Sequence, residues 1–383
     1  MTAVAVVAGR SSSGARLDVD LGAIAANTRL LAARATGELM AVVKADGFGH
    51  GAEDVARTAL AHGATRLGVT SVEEALALRD SGITAPVLSW LNPVDADFGT
   101  AVRAGVELAV PGREHLEAVA RLAPGARVHL HLDTGMARDG SAPAEWAALC
   151  RAARLAERAG RVRVVGVMGH LANADVPGDP ANSSGRTRFA WGLEIARACG
   201  LRPRDRHLAA TAATLTDPLS HHTMSRVGAG LVGIDPSRTT DLRPALTLTA
   251  PLVSVRRVRA GTAVGYGHTW LAPASTWLGL VPVGYADGLP RVTSGAAEVQ
   301  VRGVRRPLVG RLSMDMAVVD LGATGAAAGA TTGEQVTLLG PGDRGEPTVA
   351  EWAAWAGTIE HEIVTGLGPR LRRRPLPALR SVR

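Results

Sequence analysis

Residues 40–51 read Met40-Ala41-Val42-Val43-Lys44-Ala45-Asp46-Gly47-Phe48-Gly49-His50-Gly51. A short apolar run ends on a charged side chain, and a glycine-rich turn follows at once. An apolar run of this length, bounded by a turn, is the pattern of a fully buried strand. The pattern recurs along the chain. Candidate strands fall at Met40–Lys44, Arg66–Thr70, Pro86–Trp90, Glu107–Val110, Arg127–Asp133, Val162–His170, His207–Thr211 and Arg226–Val232. Amphipathic stretches lie between several of them, at Glu73–Ser81, Arg113–Leu122, Ala144–Ala159 and Arg186–Cys199. Eight strands alternating with helices predict a closed (β/α)8 barrel. The alternative is an open doubly wound sheet, but no G-x-G-x-x-G opens a helix here.

Lys44 is the only lysine; the other 41 of the 42 basic residues are arginine. Guanidinium replaces an ammonium as a surface charge, but it stays protonated and is a poor nucleophile. An amine with a lowered pKa attacks a carbonyl and forms a Schiff base. The plain alternative is one surviving surface lysine. A place at a strand end, before a glycine turn, favours the catalytic reading.

At 383 residues the chain suits one large domain and one smaller one. After Arg243-Pro244 strand-like runs dominate: Leu246–Val258, Trp277–Val283, Ala297–Val301, Met316–Leu321 and Gln335–Leu339. Gly, Pro and Asp turns separate them, which predicts a mainly β domain over 244–383. A helical segment near Val349–Ala356 interrupts it. The barrel is expected over 17–243, although Leu17–Ala33 opens as Leu-Asp-Val-Asp-Leu and is expected to pair with the β domain. Residues 1–16 read as a flexible tail. Their apolar patch, Ala3 to Ala8, has no charge before it, so no signal peptide is expected. No apolar run is long enough to span a membrane. Cys150 and Cys199 lack metal-ligand spacing and imply no disulfide framework, which fits a reducing cytoplasm. A net charge of +7 invites a nucleic-acid partner. The arginines are scattered, apart from Arg302 to Arg306 and Arg370 to Arg374, and aromatics make up only 3%. No nucleic-acid or membrane partner is expected.

Active groups in such barrels gather at the C-terminal strand ends. Lys44 ends the first strand, and Asp133 with Arg138 follows the fifth. His170 ends the sixth, Thr211 the seventh, and Arg226 opens the last before Val227-Gly228-Ala229. An amine, a histidine, a hydroxyl, two arginines and exposed backbone N–H groups suit an aldehyde cofactor carrying a phosphate, pyridoxal 5'-phosphate (PLP). Taken alone, His170 reads more readily as a satisfied core histidine.

The chain resembles the alanine racemases, which are fold-type III PLP enzymes, over nearly its whole length. The resemblance rests on Val43–Gly51, on Asp133-Thr134-Gly135-Met136-Ala137-Arg138 and on Ser225-Arg226-Val227-Gly228. It continues through Gly265-Tyr266-Gly267, Pro282-Val283-Gly284-Tyr285-Ala286-Asp287-Gly288 and Val309-Gly310-Arg311-Leu312-Ser313-Met314-Asp315. It implies that Lys44 holds PLP and exchanges the substrate's α-proton on one face. Tyr266 would exchange it on the other, from the second subunit of a head-to-tail homodimer. His170 and Arg226 would support that phenol, and Arg226 would donate to the pyridine nitrogen. Thr211, Gly228 and Ala229 would take the phosphate. Arg138, Tyr285 and the Met314 backbone would hold a small amino-acid substrate. Asp175, Arg291 and Arg311 would line its entrance, unless they are ordinary surface ion pairs.

The chain departs from the family's pattern at several places. Phe48 and His361 stand where tyrosines are usual, and both usual hydroxyls touch the phosphate. The usual tyrosine at 361 also narrows the entrance. Ala210 replaces an asparagine. His131 replaces a lysine that is often carbamylated and braces the arginine at 138. Asp139 replaces a leucine, and is one expected substitute brace. These changes leave two racemase readings open: ordinary alanine racemisation, or a paralogue of specialised metabolism with altered substrate choice. Other functions are a decarboxylase or D-amino-acid lyase on the same barrel, and a non-catalytic PLP-binding protein. Arg226 argues against a decarboxylase, the absence of a His/Cys pair with ligand spacing near the C-terminus against a lyase, and the second domain with Tyr266 against a carrier.

Overall fold

The computed structural model describes residues 14–324 and 327–377. Of the expected tail, residues 1–13 lie outside the described residues, and Arg16 begins strand β1 (Arg16–Asp20). The chain forms two compact units. One is Ala23–Arg243; β1 belongs to the other, with everything from Pro244 onward.

The first unit is the expected parallel barrel. Its strands are β2 (Glu38–Val42), β3 (Arg66–Val69), β4 (Val87–Ser89), β5 (Val106–Val110), β6 (Ala126–His131), β7 (Val162–Met168), β8 (Asp205–His207) and β9 (Met224–Val227). Each pairs in parallel with its neighbours in the order β8-β7-β6-β5-β4-β3-β2-β9. No strand ladder joins β8 to β9. Thr223 N donating to Arg206 O at 3.1 Å and Arg226 N donating to Ala209 O at 3.0 Å bring them together, so the barrel is nearly closed. Met40, Leu88, Ala109, Met168 and Met224 fill part of its interior, with Trp90 against them. These strands are buried on both faces, which is why they read as apolar runs.

Local chemistry sets the helix starts. Ser71 and Glu74 form a reciprocal capping box, so the helix expected from Glu73 runs over Val72–Asp80. The helix expected from Arg186 starts six residues earlier and spans Pro180–Ala198. Asp179 accepts from Ala181 N at 2.7 Å, and proline suits the first helical position. Two strand expectations are corrected. β8 stops at His207, and Thr211 is the first residue of a short helix, Thr211–Thr216. Arg226 lies inside β9, and Ala229–Val232 is a 3₁₀ turn after Gly228.

In the second unit nine strands form one sheet. Beyond β1 they are β10 (Leu246–Pro251), β11 (Ser254–Val258), β14 (Thr276–Val281), β15 (Glu298–Val301), β16 (Val304–Val309), β17 (Ala317–Gly322), β18 (Gln335–Leu339) and β19 (Arg372–Leu376). β12 (Ala263–Val264) and β13 (Trp270–Leu271) form a separate hairpin. The run expected as one strand over Leu246–Val258 is two, β10 and β11. The arginine group at 370–374 is tied into the sheet. β19 pairs in parallel with β1, Arg374 Nε meets Asp18 at 2.8 Å and Arg370 meets Asp315 at 2.6 Å. Among the described residues no helix is long and apolar enough to cross a membrane. Cys150 and Cys199 are free, and burial pushes the Cys150 thiol up to about 12.

Candidate active site

Lys44 stands two residues beyond the end of β2 and opens a left-handed turn. Ala45, Asp46, Gly47 and Phe48 have φ of 51°, 52°, 63° and 57°. Each non-glycine residue there costs roughly 1–2 kcal/mol, so the surroundings must impose the conformation. Glu74 accepts from Ala45 N at 2.7 Å, and Asp46 accepts from Ala52 N at 2.8 Å. Burial lowers the Lys44 pKa, the charge of Arg138 lowers it further, and Glu74 opposes the shift. A larger neutral fraction is what a nucleophilic amine requires.

Arg138 comes from the loop after β6. Asp133 Oδ1 gathers the N–H groups of Gly135, Met136 and Ala137 at 2.8, 3.0 and 3.2 Å, which fixes that loop. Asp139 does not brace Arg138. Its Oδ2 lies 3.3 Å from His131 Nδ1, an ion-pair distance without hydrogen-bond geometry. The nearby imidazole holds the Asp139 carboxyl below its usual range.

Arg226 is buried, with 5% of its surface exposed. Its Nη1 donates to His207 O at 2.8 Å and His207 Nδ1 at 3.0 Å. Its Nη2 donates to Gly169 O at 2.7 Å and His170 Nδ1 at 3.3 Å, with Leu208 O at 3.4 Å. Burial lowers its pKa to about 10, so it remains charged near neutrality. Burial and the charges of Arg226 and Arg138 hold His170 at about 3, hence neutral. The Thr134 hydroxyl donates to His170 O at 2.6 Å and sets the chain direction there.

These bonds occupy the Nη groups and leave the Nε–H of Arg226 as the remaining donor. An arginine N–H can only donate, so a ring nitrogen placed against it must be unprotonated. Nearby, Gly228 N and Gly230 N both point at the Thr211 hydroxyl, at 3.3 and 3.2 Å. A Cβ on Gly228 would fall 2.6 Å from Cε2 and Cζ of Phe48, and one on Gly230 would fall 2.8 Å from Thr211 Cγ2. Small residues are therefore required, and their N–H groups with the buried Ala229 form a nest suited to an anion. A group with a carbonyl for Lys44, a phosphate for the nest and an unprotonated ring nitrogen for Arg226 fits this donor set. Phe48 adds a ring without the hydroxyl.

In the second unit Tyr266 sits at the tip of the β12–β13 hairpin and is 69% exposed. A Cβ on Gly267 would meet the Arg311 guanidinium at 3.2 Å, so Arg311 lies along that turn. Tyr285 N donates to Ser313 O at 3.1 Å, and Ala286 N to Met314 O at 2.9 Å. Tyr285 and Met314 thus share one doubly bonded loop pair, with side chains 40% and 53% exposed. His361 lies on the helix Glu360–Gly366. Asp175, Arg291 and Arg311 are exposed, and among the described residues none of them forms an ion pair. Sequence reading passed over His207, which orients Arg226, and His129 behind it. The alternation of His129 and His131 along β6, which places both on one strand face, was the available signal.

One ligand that answers an amine, an anion nest and a neutral-ring donor together defines the class: PLP-dependent barrel enzymes. The comparisons narrow it. The alanine racemase N-terminal domain matches residues 19–236 and the alanine racemase C-terminal domain matches 245–375. The chain is 45% identical over 367 residues to the alanine racemase of Frankia casuarinae, covering 93% of this chain and 94% of that one. It is 44% identical over 374 residues to that of Mycolicibacterium smegmatis, covering 96% of each. The solved alanine racemase of D-cycloserine-producing Streptomyces lavendulae superposes with a TM-score of 0.91 at 41% identity, covering 96% and 98%. That of Bartonella henselae, which holds covalently bound pyridoxal phosphate, gives 0.86 at 26% identity, covering 95% and 99%. The chain belongs to the alanine racemase family.

Proposed function

We propose that this protein interconverts L- and D-alanine with PLP held on Lys44, and that it works as a head-to-tail homodimer in the cytoplasm. The observation that carries the cofactor reading is Arg226, whose Nη groups are committed to neutral acceptors while Nε remains for the ring. Bound PLP supplies the electron sink that acidifies the substrate's α-C–H. A guanidinium donor keeps the ring nitrogen unprotonated, which moderates that sink and favours proton exchange over loss of the carboxylate.

Lys44 Nζ moves the proton on one face, helped by its lowered pKa. Tyr266 of the partner subunit moves it on the other. A phenol near pKa 10 needs support. Arg226 donates to His170 Nδ1, so neutral His170 carries its proton on Nε2 and can donate to a phenolate. Thr211 with the Gly228, Ala229 and Gly230 backbone takes the phosphate. Arg138 holds the substrate carboxylate together with Tyr285 and the Met314 backbone of the partner subunit, which also lends Tyr266, and Asp175 with Arg291 and Arg311 of the partner subunit lines its path.

Because Lys44 is the only lysine, the test is direct. Incubation with PLP, borohydride reduction and mass spectrometry should place one phosphopyridoxyl adduct on Lys44, and chiral analysis should show alanine interconversion. No adduct at saturating PLP would remove the enzyme reading. An adduct without interconversion would point to another PLP reaction. For the dimer, mixing Lys44→Ala and Tyr266→Phe chains should restore activity that neither has alone; no recovery after verified subunit exchange refutes shared sites.

A further inference from the structure

The barrel interior holds a buried polar row that proton exchange does not use directly. Glu107 on β5, His129 on β6 and His207 on β8 are all buried. His129 Nε2 lies 2.9 Å from Glu107 Oε2, and His129 Nδ1 lies 2.9 Å from His207 Nε2. His207 Nδ1 then lies 3.0 Å from Arg226 Nη1. The barrel makes room for this row, since a Cβ on Gly166 of β7 would collide with the His129 ring. At the far end Arg66 bonds Glu107 at 3.2 Å and Asp205 at 3.2 Å, and Arg127 bonds Glu107 at 2.7 Å. Glu107, His129 and Asp205 have the spacing of a metal-ligand group, but Arg66 already supplies the counter-charge to both carboxylates.

Proton counting along the row allows one arrangement. Arg226 is charged and donates, so His207 Nδ1 accepts. Burial and the charge of Arg226 keep His207 neutral, and its single proton is therefore on Nε2. That proton goes to His129 Nδ1, so His129 carries its own on Nε2 and gives it to Glu107. A doubly protonated His129 would oblige His207 to accept at both nitrogens and hold no proton. Burial raises the Glu107 carboxyl, but the bonds from His129 and Arg127 and the Arg127 charge hold it below its usual range, so it is ionised. The row therefore ends on a fixed acceptor, and each bond sets the tautomer of the next ring.

We propose that Glu107 and His129 are positioning residues for the cofactor: they hold His207 as the Nε2–H tautomer, so that its Nδ1 fixes Arg226 with Nε left to the pyridine nitrogen. The inference rests on the PLP reading for its purpose. The tautomer itself is independent of that reading. With the row broken, His207 can carry its proton on Nδ1, and a donor then faces a donor.

The experiment is ¹⁵N NMR of histidine-labelled apoprotein, with His207 assigned by the signals lost in His207→Gln. The expected spectrum shows an unprotonated Nδ1 and a protonated Nε2 on His207, unchanged from pH 7 to 9. A protonated Nδ1, or a charged ring, overturns the proposal. Two variants test the consequence. His129→Phe offers no acceptor; it should mix the His207 tautomers and weaken PLP binding about tenfold. His129→Gln offers a carbonyl and should restore both the tautomer and most of the affinity. Equal weakening in both variants with unchanged His207 signals would mean a merely structural role and sink the idea. If His129→Phe does not fold, the native spectrum and His129→Gln still decide. Failure of the PLP reading would appear separately, as no Lys44 adduct in the native protein.

Discussion

Phe48→Tyr should tighten PLP binding. The Phe48 ring is buried, 8% exposed, and its Cζ lies 2.6 Å from where a Cβ on Gly228 would stand. Cζ is the carbon that gains the hydroxyl, and Gly228 N is one of the two donors converging on Thr211. The new hydroxyl therefore arrives beside the phosphate nest on a ring that is already ordered, with little further entropy to lose. A hydrogen bond to a charged group contributes about 1.5–3 kcal/mol. At 1.4 kcal/mol per decade this is about 10- to 100-fold in Kd. The assay is an equilibrium titration of apoprotein with PLP, followed by the cofactor's absorbance, with circular dichroism as a check on the fold. Gly228→Ala is the companion variant. It must drive the ring away and should weaken binding whichever residue stands at 48. A Kd for Phe48→Tyr that is unchanged or weaker, in a folded protein, would refute the placement of Phe48 at the phosphate.

Other expectations concern the gate, the pH response and the packing. His361→Tyr should raise the ratio of kcat/KM for alanine over larger amino acids, and an unchanged ratio removes His361 as a specificity element. The His207 pKa in the fold lies well below its ordinary 6.5. As pH falls through 6.5 only the unfolded chain gains that proton, so stability is present above this value and declines below it, by up to about 1.4 kcal/mol per pH unit. Denaturant unfolding from pH 7.5 to 5 should show the slope, and His207→Asn should flatten it; identical slopes would contradict the assignment. Gly166→Ala forces the His129 ring out of place, and an overpacked core loses about 1–3 kcal/mol. An unchanged unfolding midpoint for that variant would show that the interior can yield there.

Much of the barrel was legible because its strands are buried on both faces and its helices on one. Periodicity reports burial, so the positions of β2 to β7 emerged from apolar runs, whereas β8 (Asp205–His207) carries no such run. Element ends were less legible. Thr211 read as the end of a strand because Ala209, Ala210 and Thr211 are small and tolerate either conformation; the bonds that turn the chain are Ala209 N to Ser220 O and Thr214 N to Ala210 O. The strand β19 was not among the expected strands, because its partner, β1, lies over 350 residues away in sequence and no local pattern encodes such pairing.

The sequence by itself determined the one nucleophilic amine, since Lys44 is the only lysine, and the order of the motifs around it. Residue identity sets which chemistry is possible, and that needs no coordinates. Tertiary structure alone decided the states of those groups. Arg226 has free hydrogen-bonding capacity at Nε only because His207, Gly169 and His170 take its Nη groups. His170 is neutral because two guanidinium charges and burial disfavour its cation. Asp139 lies against His131, and among the described residues no ion pair joins it to Arg138. Each of these depends on which groups meet across the barrel, and electrostatic energies change with distance and burial rather than with order along the chain.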